Sequence, residues 1–137
     1  MLGPNLSMIR LFLHVLAATI WVGGQIVLAG AVPALRAKGL DMAPRIVAKA
    51  YARLAWPAFG VLVLTGMWNL VEVDVTDTTP VYQTTVFVKL TLVGISGAAA
   101  AVHQVGRTKV ALAVGGALGL LGALGALFCG YLLTNGS

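Results

Sequence analysis

Four long apolar runs, at roughly 6–32, 54–71, 82–102 and 110–133, leave this chain little choice of fold. A helix needs about 20 mostly apolar residues to cross the hydrocarbon of a bilayer. Every backbone N–H and C=O must be bonded internally there, and a continuous apolar run does so as a helix. The second helix is expected to start before its apolar run, near Pro44. The expected elements are helices over about 6–32, 44–71, 82–103 and 110–133. Together they make an all-α integral membrane four-helix bundle, one domain over 1–137. Only 9% of the residues are charged, against roughly 25% in soluble domains, so a soluble enzyme is excluded. The first run follows Arg10 but is too long for a cleaved leader. A single cysteine excludes a disulfide framework and any Cys-rich metal site.

The charges set the expected orientation. The first loop and the start of the second helix carry Arg36, Lys38, Arg45, Lys49 and Arg53 against Asp41 alone. The third loop carries Arg107 and Lys109, while the second carries Glu72, Asp74 and Asp77 and no base. Short basic loops stay in the cytoplasm. The reading is a multi-pass plasma-membrane protein with loops 1 and 3 cytoplasmic and both termini on the outer side. The net charge of +5 is therefore a topology signal and not a sign of nucleic-acid binding. The bilayer is the expected partner, with anionic headgroups against the first loop.

The fourth helix is rich in small residues. Ala111, Gly115, Gly119 and Ala123 recur every four residues, and Gly122, Ala126 and Gly130 form a second row. Small residues at this spacing let helix backbones approach closely. The rows serve packing within the bundle, or a seam to a second copy or another membrane protein. Pro57, within the second helix, is expected to bend it.

Arg10 and Lys89 are the two bases that no loop accounts for. With 100° per residue and Arg10 at zero, Trp21, His14 and Gln25 fall at about 20°, 40° and 60°. On the third helix Thr85, Lys89, Ser96, His103 and Arg107 share one face, and on the second Tyr51, Ala58, Leu62, Thr65 and Asn69 do. A charge in the bilayer core is costly, so it faces protein, water or a ligand. Three polar stripes are expected to face one another, with helices 1, 2 and 3 lining a polar interior. Within it, His14 is expected as a metal or haem ligand, the other reading being a hydrogen-bonded structural histidine. Arg10 and Lys89 hold an anion, Trp21 stacks on the ligand, and His103 and Asn69 are secondary candidates. Trp56 and Trp68 fit an aromatic belt at the membrane surfaces. His14 and His103 lie about 20 Å apart along the bundle axis by helix rise, so they cannot ligate one haem iron within a subunit.

His14 with Trp21 seven residues on and then Gly23-Gly24, Leu64-Thr65-Gly66, and Val88-Lys89-Leu90 together resemble CopD-type copper-resistance membrane domains. The same His–Trp spacing resembles the HemJ-type protoporphyrinogen oxidases. The chain departs from the latter: Pro33 and Arg36 stand apart and farther on than its Pro-Arg pair, and His103 follows Lys89 about a turn too late. The HemJ resemblance implies haem b held at His14 and Lys89. The CopD resemblance implies copper transport or tolerance, although Met1, Met8, Met42 and Met67 form no soft-ligand cluster. Three functions follow: a haem-b-binding redox protein, a copper-handling protein, or a non-catalytic accessory subunit. Nothing in the pattern supports a hydrolase or a transferase, and the residues leave open whether the protein is an enzyme.

Overall fold

A computed structural model describes residues 3–136, and those residues contain helices and no strands. Helix α1 spans Leu6–Ala37, α2 Met42–Val73, α3 Pro80–Val105 and α4 Lys109–Asn135. All four are long and apolar enough to cross a membrane. Large apolar side chains face outward along each, among them Phe12, Leu64, Phe87 and Leu121. Such a surface is untenable in water and suits lipid.

Each start has a local cause. Asn5, Thr79 and Thr108 sit before α1, α3 and α4, and each side chain accepts an N–H of the first turn. That satisfies one donor that a helix start leaves open. Pro80 opens α3, where its fixed φ suits the first turn. Gly39 turns the chain between α1 and α2 with φ of 73°, a left-handed conformation that glycine adopts without penalty. Asp74 follows α2 with φ of 49°, and a short 3-10 turn, Val75–Asp77, leads to α3. The Gln83 side chain binds that turn through the carbonyls of Val75, Thr76 and Thr78.

Both helices of the first pair overrun the expected spans. Each is 32 residues long, about 48 Å against a hydrocarbon thickness of about 30 Å. Helix α1 continues through Pro33 to Ala37, beyond the expected end at residue 32. It also contains one wide turn, Thr19–Gly23, where it loosens to a π-helix.

The chain divides after Val73 into two compact units, the hairpin of α1 with α2 and the hairpin of α3 with α4. In the second hairpin Gly115, Gly119, Gly122, Ala126 and Cys129 are buried. Their alternating four- and three-residue spacing is the 3.5 period of a left-handed helix pair. A Cβ at Gly115 would lie 2.8 Å from the Ala99 carbonyl oxygen, and one at Gly122 would lie 3.0 Å from that of Leu92. The seam therefore crosses between the two small-residue rows and reaches Cys129. Within the chain, α3 occupies the close approach that Gly115 and Gly122 allow.

Candidate functional site

In the first hairpin, polar residues four apart on α1 meet polar residues four apart on α2. Arg10 Nε donates to Asn69 Oδ1 at 2.6 Å. One turn deeper, His14 Nδ1 lies 2.8 Å from Thr65 Oγ1. The Thr65 hydroxyl has one proton, and the Val61 carbonyl oxygen 2.7 Å away accepts it. With the hydroxyl proton on Val61, the same oxygen accepts from His14 and Nδ1 carries the ring proton. In a neutral imidazole the lone pair is consequently on Nε2.

His14 is half-buried and lies about 12 Å along α1 from its start. Gly66 supports it from α2: a Cβ there would stand 3.3 Å from His14 Cε1. The Thr65-Gly66 pair thus does two things for one ring. The hydroxyl fixes which nitrogen is protonated, and the missing side chain lets the imidazole lie along the α2 backbone.

Arg10 is buried, and α2 supplies its counter-charge. Its Nη1 stands 3.6 Å from Glu72 Oε1, and the guanidinium lies 5.6 Å from the centre of the Trp68 ring. Trp68 Nε1 in turn donates to Glu72 Oε1 at 3.2 Å. The Glu72 side chain is 51% exposed, so this cluster opens at the end of the helix pair. Glu72 thus places one carboxylate of the chain beside Arg10. The guanidinium has five N–H donors, and these contacts use only part of them.

Trp21 is buried at the wide turn of α1, 4.4 Å from Phe59 and 5.4 Å from Trp56 by ring centres. Trp56, half-buried, thus packs on Trp21 and Phe59, whereas Trp68 is exposed. The Trp21 carbonyl accepts from Tyr51 Oη at 2.7 Å and from Gln25 Nε2 at 2.9 Å. A wide turn loosens the α-helical ladder, and these two side chains hold it. Tyr51 fits only because residue 24 is glycine: a Cβ there would fall inside its ring.

Lys89 and His103 belong to the second hairpin, where they stand with Ser96 against α4. Ser96 Oγ donates to the Gly119 carbonyl at 2.7 Å, and His103 Nδ1 donates to that of Leu112 at 2.6 Å. Lys89 Nζ lies 3.3 Å from where a Gly130 Cβ would stand. The cause is the bareness of α4. Its small residues expose backbone carbonyls and leave space, so polar side chains find acceptors there that a leucine-rich helix would cover.

Arg10 with Asn69 and His14 with Thr65 are thus brought together by α1 and α2, Trp21 packs two turns farther along the same pair, and Lys89 and His103 lie on the α3–α4 seam. Sequence reasoning did not single out Thr65 as the holder of His14, Glu72 as the partner of Arg10, or Tyr51 as the clamp of the wide turn. The matched four-residue spacing of Arg10–His14 and Thr65–Asn69 signals the first. Among the described residues, no group of three His, Cys, Asp or Glu stands together. The chain matches no protein-family model, no curated protein and no solved structure.

Proposed function

We propose that this multi-pass membrane protein binds haem b through His14, on the α1–α2 hairpin, for electron transfer. The observation that carries the reading is the Val61–Thr65–His14 relay, which makes Nε2 the lone-pair nitrogen within a membrane span. An axial haem ligand needs that tautomer, with its second nitrogen donating to a fixed partner.

The donor set favours a macrocycle over a bare ion. Among the described residues the protein offers no three-ligand cluster, whereas a porphyrin brings four nitrogens and asks the chain for one or two. Arg10, one turn from His14 and steadied by Asn69, is the residue to meet a propionate. Trp21 with Trp56 and Phe59 forms the rigid wall that positions this stretch of α1. When bound, the haem iron supplies one-electron chemistry. The chain's own part is to hold Nε2 deprotonated, keep water from it with the apolar span, and set a positive charge at the outer end. In this reading the basic turns at Arg36–Arg53 and Arg107–Lys109 are cytoplasmic, and both termini are outside.

The test is the absorption spectrum of the full chain purified from haem-replete cells. A Soret band is expected, lost in His14→Ala and shifted in Thr65→Val, which removes the hydroxyl that fixes the tautomer. A colourless preparation overturns the reading. Copper in the metal analysis without a Soret band replaces it with the CopD-like one.

A further inference from the structure

The first three turns of α2 carry a feature that a haem reading does not use. Arg45, Lys49 and Arg53 are spaced four apart and all exposed. At 100° per residue they form one stripe within an arc of about 80°. Ile46, Ala50 and Leu54 lie beside it, also exposed, with Ile46 and Leu54 at 64% and 66%. Arg36 and Lys38 stand at the adjoining end of α1. None of these five bases pairs with a carboxylate among the described residues, where the ion pair present is Arg10–Glu72. The opposite side of the same turns, with Pro44 and Ala55 buried, is the side that packs.

Helix length places the stripe in depth. The apolar run at 54–71 is about 27 Å long and fills the hydrocarbon. Arg53 then lies at the hydrocarbon edge, Lys49 about 6 Å beyond it and Arg45 about 12 Å beyond. The headgroup layer is about 5–8 Å thick on each side. The stripe therefore crosses the phosphate layer, with apolar neighbours to enter the acyl boundary, as in helices that bind membrane interfaces.

We propose that the α1–α2 turn is a binding surface for anionic lipid headgroups of the protein's own bilayer, read by Arg53 and Lys49 and reinforced by Arg45, Arg36 and Lys38. Two guanidiniums and an ammonium along one line complement a row of phosphodiesters, with Arg able to bind phosphate through two parallel hydrogen bonds.

The full chain, purified in an uncharged detergent, is titrated with phosphatidylglycerol and with phosphatidylcholine. Bound lipid is counted by native mass spectrometry and the unfolding midpoint is followed. Phosphatidylglycerol is expected to bind more tightly, raise the midpoint, and lose its advantage in high salt. Each base contributes roughly five-fold to binding, so R45Q/K49Q/R53Q is expected to lose about 100-fold. K49Q and R53Q alone give the graded answer should the triple variant fold poorly. R107Q/K109Q is expected to keep the preference. Equal binding of the two lipids overturns the proposal, as does an equal loss in R107Q/K109Q, which would show a bulk charge effect. Saturation by inorganic phosphate, or by an acidic soluble protein in place of lipid, overturns it as well. These readouts do not involve haem, so they fail or succeed independently of the His14 assignment.

Discussion

Gly115→Ala tests the close approach of α3 and α4, because the direction and size of its effect follow from backbone atoms. The added Cβ would stand 2.8 Å from both the Ala99 carbonyl oxygen and the His103 amide nitrogen, and 3.0 Å from His103 Cα. Ordinary contact begins near 3.4 Å, so the helices must separate there by about half an ångström. No side-chain rotation relieves this, since the obstructing atoms belong to a helix backbone. Overpacking of this kind costs about 1–3 kcal/mol. The shift also strains the Ser96–Gly119 and His103–Leu112 bonds on either side, each worth about 0.6 kcal/mol in a membrane and at most about 1.7. Gly94, on α3, is the control: a Cβ there meets nothing within 4 Å. Gly94→Ala should be neutral or stabilise by up to about 1 kcal/mol through helix propensity. Unfolding of the reconstituted chain by rising SDS fraction, followed by tryptophan fluorescence and circular dichroism, measures both. A loss of at least about 1 kcal/mol for Gly115→Ala beside no loss for Gly94→Ala is expected. Equal effects, or a neutral Gly115→Ala, would refute the tight seam.

Other expectations follow from the first hairpin. Asn69→Leu should destabilise more than Glu72→Gln in the same assay. The Arg10–Asn69 bond is short and belongs to a buried cation, while the Glu72 pair is 3.6 Å long with an exposed partner and is worth at most about 1 kcal/mol. Gly24→Ala should expel the Tyr51 ring and cost more than Tyr51→Phe, which removes only the hydroxyl and its bond to the Trp21 carbonyl, about 0.6–1.7 kcal/mol. Trp21→Ala removes a buried side chain of the aromatic cluster and should cost about 3–5 kcal/mol. Gly66→Ala crowds His14 Cε1 and should shift the Soret band of the haem-loaded protein while leaving Gly94→Ala-like stability; an unmoved band argues against a ligand at Nε2.

The four helices were legible because a bilayer asks one question of a sequence, and long apolar runs answer it. Their ends were less so. Residues 33–37 include Pro33 and Arg36, and residues 42–43 precede Pro44, yet helix runs through both stretches, since Gly39 alone supplies the reversal. The α1 face with Arg10, His14 and Trp21 came from periodicity, and Thr65 and Asn69 came with it on α2. On α3 the polar stripe was legible but its partners within the hairpin were not: Ser96 and His103 meet a stretch of α4, residues 111–128, that carries no polar side chains. The acceptors were main-chain carbonyls, which every residue carries and a sequence does not mark. The wide turn at Thr19–Gly23 likewise has no signature in residue type. Its clue is a bulky Tyr51 opposite a bare Gly24, which is visible only once the register of the pair is known.

The seam of α3 and α4 encodes its polar anchors on one side only. Ser96 and His103 grip oxygens that belong to the peptide chain itself, so no exchange of a single side chain on α4 can delete the receiving atom. Damage to these two anchors enters from α4 by enlargement and from α3 by truncation. At these anchors the two helices are therefore vulnerable to opposite kinds of mutation, a pattern that saturation mutagenesis would display as mirror-image tolerance maps at the paired positions.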